Sequence, residues 1–288
     1  MIFELNGVEF GTPGHGIICT EFDPGSPEVR SGDVDMPGGD GLIPIVDRLG
    51  GTTWSWTLRT NGKHLDHARS LAERLSVAWR RPLRAGESAW LLHGTDNFLD
   101  RAVRIRPRRF AGIDGGVLDR HGVGTISCDA VLTDPRSFSA FEREVSLGLV
   151  VSSLSNLTFP TSPPFVWASA GAPRTGAFHV NGTTHSSPVI EVSGPIANAR
   201  VVVGGHDIRV VMPLAHDQTL RIDALERRVS VRTGDEGPFV SAPGALRPTT
   251  RLANLRLEPG QHTVSFTGQD VTGSARCRVA WRDAYHQI

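Results

Sequence analysis

Punctuation by glycine and proline constrains this chain more than any other feature. Of its 288 residues, 32 are glycine and 19 are proline, spread along the whole length. Between them lie short stretches in which apolar and polar residues alternate. Proline removes a backbone donor and fixes φ, and glycine admits turn conformations closed to other residues. Long helices are therefore excluded over most of the sequence, and short strands joined by turns are favoured. The expected class is mainly β, with two β-sandwich domains, the first carrying one packed α-helix.

The individual strands can be read from their period of two. Trp54, Trp56 and Leu58 alternate with Ser55 and Thr57, and Val103 and Ile105 with Arg104 and Arg106. Ile126, Cys128, Ala130 and Leu132 form a third set, ended by Thr133-Asp134-Pro135. One segment has a different period. From His64 to Arg80, Leu65, Ala68, Leu71, Ala72, Leu75, Ala78 and Trp79 recur at helical spacing and predict one amphipathic helix, with Asn61-Gly62 before it and Pro82 after it. Residues 138–187 are rich in Pro, Ser, Gly and Ala and read as an extended connector that packs through Phe159, Phe165 and Trp167. Strands resume after Pro188, including a hairpin that turns at Gly204-Gly205. The expected organisation is a first domain over 1–137, the connector, and a second sandwich over 188–288.

Charge and composition exclude several classes. With 39% hydrophobic and 21% charged residues the chain can build a core, so bulk disorder is ruled out. Lys+Arg and Asp+Glu are 30 each, so there is no basic excess of the kind nucleic-acid binders carry. Lys63 is the only lysine, which reads as the codon bias of a GC-rich genome. Cys19, Cys128 and Cys277 lie far apart, form no CxxC pair and read as buried free thiols. The start of the chain has no basic and apolar signal pattern, and the longest apolar stretch, around 145–157, holds four serines and is too short to span a bilayer. Neither secretion nor membrane insertion is expected.

Motifs for chemistry are missing or incomplete. A phosphate loop ending at Lys63 would need glycine at position 57, which is threonine. Gly86-Glu87-Ser88-Ala89-Trp90 lacks the last glycine of a nucleophile elbow. Asp33-Val34-Asp35 opens like a calcium loop, but Pro37 and Pro44 occupy the fifth and twelfth positions, so residues 21–47 read as an acidic loop instead. His64 with His67, and His179 with His185, lack an identifiable third ligand and read as solvated. Asn156 and Asn181 sit in sequons without a secretory context. No cofactor, metal or catalytic residue is expected. The densest basic run is Arg101–Arg109, with Arg104, Arg106 and Arg108 on one strand face. It could meet phosphates, or acidic loops of a neighbouring subunit; zero net charge favours the second. Arg104, Arg106, Arg108, Asp33, Asp35 and Asp40 are thus the candidate subunit-interface residues.

The order of several short motifs resembles the distal tail proteins of long-tailed, non-contractile bacteriophages, especially those infecting GC-rich actinobacteria. The first half contributes the helix, the arginine-rich strand and the exit Thr133-Asp134-Pro135-Arg136, followed by Leu157-Thr158-Phe159-Pro160. The second half contributes Asn181-Gly182-Thr183, Pro188-Val189-Ile190, Gly194-Pro195-Ile196, Leu220-Arg221-Ile222-Asp223, Leu257-Glu258-Pro259-Gly260 and the ending Trp281-Arg282-Asp283-Ala284-Tyr285. Residues 234–251 form a longer loop than the family pattern. Asn181, Gly182, Asp223, Pro259, Gly260, Trp281, Arg282 and Asp283 are the fold-signature residues: Pro259-Gly260 for a tight turn, Trp281 for buried area, Asp223 to cap a turn. The resemblance implies a galectin-like second domain and a structural role without enzymatic activity. It implies a ring, commonly a hexamer, at the virion tail tip, made in the host cytoplasm. Its implied partners are other copies of itself, the tail tube protein, the end of the tape measure, and tail-tip or receptor-binding proteins. The alternative is a carbohydrate-binding module in which Trp167, Phe178 or Phe239 stacks a host glycan.

Overall fold

The alternating segments do form strands, and these distribute between two compact units, residues 1–141 with 285–288 and residues 142–284. The computed structural model describes residues 1–84, 87–95, 98–112, 123–149, 175–270 and 272–286. The Asn156 sequon, the Phe-Pro connector, Phe165 and Trp167 lie outside the described residues. On either side of 150–174, the expected connector contributes strands Arg143–Gly148 and Thr175–Val180 to the second unit.

The first unit is built on one nine-stranded sheet. Its strands are β1 (Ile2–Leu5), β2 (Val8–Phe10), β3 (Ile17–Asp23), β4 (Thr53–Thr60), β5 (Ala89–Thr95), β6 (Phe98–Ala111), β7 (Thr125–Leu132) and β8 (Arg136–Ser139), joined by a strand from the far end of the chain. The order along the sheet is β2-β1-β5-β6-β7-β4-β3. Its two edges meet at Gly11, whose N–H reaches the Ile17 carbonyl at 2.8 Å while its own carbonyl accepts from Cys19 N–H at 3.1 Å. The sheet thus curls over its own core. Only glycine serves here, because a Cβ at position 11 would stand 2.6 Å from the Met1 carbonyl oxygen, with φ at 110°. Inward residues of β4 and β7 follow the expected alternation: Trp54, Trp56, Leu58, Ile126, Cys128, Ala130 and Leu132 are all buried.

Helix α1 runs over Leu65–Trp79. Ala68, Leu71, Ala72, Leu75, Ala78 and Trp79 face inward, and full burial of a side chain of leucine size contributes about 2 kcal/mol. Trp79 meets Trp56 edge-on at 5.4 Å. The Nδ1 of His64 accepts the His67 N–H at 3.1 Å and so caps the helix start. At the other end the Asn6 side chain donates to the Ala78 carbonyl at 2.8 Å. Asn6 and Gly7, both at positive φ, make the two-residue turn joining β1 to β2.

The second unit is a sandwich. Its larger sheet has six strands in the order β9 (Arg143–Gly148), β18 (Arg276–Trp281), β11 (Val189–Ser193), β14 (Gln218–Asp223), β15 (Arg228–Thr233) and β16 (Val240–Ser241). The smaller has four, in the order β10 (Thr175–Val180), β17 (Gly260–Gln269), β12 (Ala197–Val203) and β13 (His206–Arg209). Ile190, Val192, Leu220, Ile222, Cys277 and Val279 from one sheet and Val180, Val201, Val203, Val264 and Phe266 from the other share one core. The strand after β18, β19 (Ala284–His286), pairs with β8 and so joins the first unit's sheet. Arg101 stacks on its Tyr285, guanidinium to ring centroid 3.6 Å.

Candidate functional site

The fold sorts the candidate interface residues into two groups. Arg104 is buried, its Nε donating to Ser88 Oγ at 2.6 Å and its guanidinium 5.0 Å from the Trp90 ring. Together with Arg101 on Tyr285, it is a packing arginine whose stem and fork serve the interior. Arg106 is half-buried, and Arg108 is exposed. The register of β6 against β7 shifts between Pro107 and Phe110, so the single basic face expected from strict alternation ends at that bulge. Beyond it, Arg109 N–H donates to Asp129 Oδ1 at 2.9 Å.

Asp33, Asp35 and Asp40 lie together on an arm between β3 and β4. Two short antiparallel ladders shape it, Val29–Arg30 with Arg48–Leu49 and Val34–Asp35 with Leu42–Ile43. A tight turn closes its tip, where Met36 N–H reaches the Gly41 carbonyl at 3.0 Å. Asp33 Oδ1 accepts the Ile45 N–H at 2.8 Å, and this bond, with Ser31 beside it, holds the carboxyl below its ordinary pKa. Every residue from 28 to 49 is exposed, including Val29, Val34, Met36, Leu42, Ile43, Ile45, Val46 and Leu49. The sequence displayed these apolar residues, but their mixture with aspartate and glycine read only as an acidic loop. The ladder pairing was the missing signal.

The signature residues from both ends of the second unit form one lock. Asp283 is buried: its Oδ1 accepts from Asn181 N–H at 2.8 Å and from Trp281 Nε1 at 3.3 Å, and its Oδ2 pairs with Arg143 Nε at 3.1 Å. Gly182, at φ 110°, lets the backbone pass against the Ala284 carbonyl, a position a Cβ would fill. Asp223 Oδ1 accepts Glu226 N–H at 2.8 Å and caps its turn. Gly260, at φ 132°, follows Pro259 and opens β17. Arg282 is half-buried, and desolvation lowers its pKa.

One nucleophile, imidazole and carboxylate do line up. Thr12 Oγ1 lies 2.9 Å from His15 Nδ1, and His15 Nε2 lies 2.8 Å from Glu9 Oε2, beside a cleft of about 680 Å³. The N–H groups of His15 and Gly16 are already bonded to the carbonyls of Thr12 and Pro13. With both of those N–H groups engaged, this chain of bonds ties down the turn. His64 and His67 likewise serve the helix start, and no group of three or more metal-binding side chains occurs among the described residues. The carbohydrate alternative needs correction at Phe178. That ring is buried, 4.5 Å from Trp281, and presents no face to a sugar. Phe239 lies at the surface between Arg221 and Arg232, at 5.7 and 5.1 Å.

No protein-family model matches the sequence, and neither does any curated protein. Solved structures do. The chain superposes on the SPP1 Dit protein, described as a paradigm of the hub adsorption apparatus in phages infecting Gram-positive bacteria, with TM-score 0.56 at 11% identity, over 98% of each chain. It also matches a chain of the phage P2 baseplate in its activated conformation with calcium, TM-score 0.55 at 10% identity, over 92% of this chain and 90% of that one. The fold is that of Dit. The same baseplate with strontium gives TM-score 0.54 at 9% identity. The expected mainly β, Dit-like architecture is therefore present.

Proposed function

We propose that this chain is a distal tail hub protein. Copies of it form a ring, a hexamer in the family it resembles, that joins the end of a phage tail tube to the adsorption parts. The observation that carries this reading is the Dit fold extending over 98% of both chains, so that both units, and not one common module, are matched. The motif order in the sequence supports it independently. The arm and the exposed arginines supply oppositely charged surfaces of the kind that heterologous ring contacts use. The tail tube protein, the tape-measure end and the tail-tip or receptor-binding proteins are its proposed partners, and the virion tail tip is its place. Its role in this reading is assembly, without catalysis. Arg106 and Arg108 with Asp33, Asp35 and Asp40 remain candidate interface residues, and Arg104 supports the strand from within. Negative-stain imaging and mass photometry of the purified chain test the proposal. Closed rings of uniform copy number are expected, and gold-labelled antibody against the chain should mark tail tips. A monomer at all concentrations together with unlabelled tails overturns it.

A further inference from the structure

The dipeptide Asn-Gly occurs three times, at Asn6-Gly7, Asn61-Gly62 and Asn181-Gly182. Asparagine is a thermolabile residue, and its amide is most open to attack before glycine, which has no side chain to shield the following N–H. The fold treats the three copies differently. Asn6 Nδ2 donates to the Ala78 carbonyl at 2.8 Å, which commits that carboxamide to α1. Asn181 is half-buried, with its own N–H held by Asp283 Oδ1 at 2.8 Å. The chain beyond it is clamped, because the N–H groups of Thr183 and Thr184 both donate to the Ala284 carbonyl, at 3.0 and 3.2 Å.

Asn61 is the exception. It is exposed, and its carboxamide has no hydrogen-bond partner among the described residues. The Gly62 N–H has none there either. Yet the backbone on each side is fixed. Asn61 N–H donates to the Gly16 carbonyl at 2.8 Å, and Lys63 N–H donates to His67 Nδ1 at 3.2 Å. Glycine is required at 62, because a Cβ there would stand 2.6 Å from the Ala68 nitrogen of α1. The nitrogen that attacks thus sits beside an unengaged carboxamide, and a bulkier residue cannot replace its glycine.

We infer that Asn61 is a site of spontaneous modification, deamidating ahead of Asn6 and Asn181 through a cyclic imide. The Gly62 nitrogen attacks Asn61 Cγ and gives up its proton, the C–N bond of the carboxamide breaks, and ammonia leaves. Water then opens the succinimide. Opening at Cγ gives aspartate; opening at the backbone carbonyl gives isoaspartate, in which the main chain runs through Cβ and Cγ. Both products place a new carboxylate in the cleft of about 720 Å³ that Asn61, Lys63, His67 and Arg74 help to line. Isoaspartate also adds a carbon to a main chain pinned on both sides. The bonds that start α1, His67 N–H to His64 Nδ1 and Ala68 N–H to the His64 carbonyl, then give way. Aspartate keeps the normal chain and adds a negative charge at a helix N-terminus, so it leaves those bonds in place. The first unit thus carries a slow, irreversible loosening of α1, whatever the chain assembles with.

The test ages the full purified chain in warm, mildly alkaline buffer and follows it by peptide mapping with mass spectrometry. The Asn61 peptide should convert about tenfold faster than those of Asn6 and Asn181, where hydrogen bonds must give first. Isoaspartate should be the larger product, detected by methyl transfer from an isoaspartyl methyltransferase. Asn61→Gln should abolish that signal and leave thermal unfolding unchanged. Hydrogen exchange at His67 and Ala68 should rise in the aged chain and not in Asn61→Asp. Earlier conversion at Asn6 or Asn181, or equal rates at all three, overturns the assignment. So does isoaspartate at position 61 that forms only after unfolding in urea. Conversion at Asn61 with exchange at the start of α1 unchanged overturns the loosening.

Discussion

The arm of the first unit and the larger sheet of the second treat charge in different ways. In the second, Arg278 gathers Glu142 at 2.7 Å, Glu144 and Glu191 at 3.1 Å, and Arg221 shares Glu191 from the far side at 3.6 Å. Burial works against that guanidinium's charge, yet the hydrogen bonds it donates to the three carboxylates outweigh it and raise its pKa. Arg200 and Arg209 both hold Asp207 in the same fashion. In the first unit Asp134 and Arg136 pair in the same way at 2.7 Å, but the aspartates of the arm lie exposed beside exposed apolar residues. A sheet face that satisfies its own charges offers little to a partner, because existing bonds must break first. Separated charges around exposed apolar residues offer much. The contrast teaches where a partner would find charge not already committed within the chain.

Attacking the second unit's internal bonds should give the largest loss. Asp283→Ala removes the carboxylate that Asn181 N–H, Trp281 Nε1 and Arg143 Nε share, at a cost of about 3–4 kcal/mol. Urea unfolding followed by fluorescence measures it. Leu75→Ala, at the centre of the buried face of α1, should cost about 3 kcal/mol in the first unit. It separates the units if only one of two unfolding transitions moves.

Acid should distinguish them as well. Burial pushes the His93 imidazole down to about 4, so it stays neutral in the fold while the unfolded chain takes up a proton near 6.5. The unfolded state binds more protons in that window, so first-unit stability should fall as pH drops from 6.5 to 4, by up to ~3 kcal/mol. His93→Gln should flatten that slope. Asp207, lowered to about 2 by hydrogen bonds from Arg200 and Arg209, acts later. Its contribution is present above about 3.8 and is lost as pH falls from there towards 2. A single acid transition common to both units would erase this distinction. The smallest effect belongs to the arm: Val46→Ser, at a side chain 79% exposed, should change monomer stability by under about 0.5 kcal/mol.

Much of this was legible in the residues. Period-two runs such as Thr125–Leu132 and the helical stripe of α1 appear where the pattern places them, because each buries a continuous face and burial dominates their choice of structure. Arg104 escaped because alternation assigns a side and not an environment; stacked on Trp90, it is turned into the body. The Asn6-Gly7 turn carried a local signal that the larger pattern overshadowed. Asp283 could be recognised as a motif residue, but its bond to Asn181 spans 102 positions, and no local rule supplies that partner. The arm was hardest, since its ladders are two residues long and its apolar groups have no inner face to point to.

The return of β19 to the first unit's sheet bears on how the protein comes into being. Residues 1–141 leave the ribosome long before Tyr285 does, so the sheet stays one strand short, with β8 unpaired on that side, until residues 284–286 have been made. Completion of one half waits on translation of the other, and a premature stop anywhere in the second half leaves both halves unfinished. A single proteolytic nick at 141 would still leave the pieces spliced through 284 and 285.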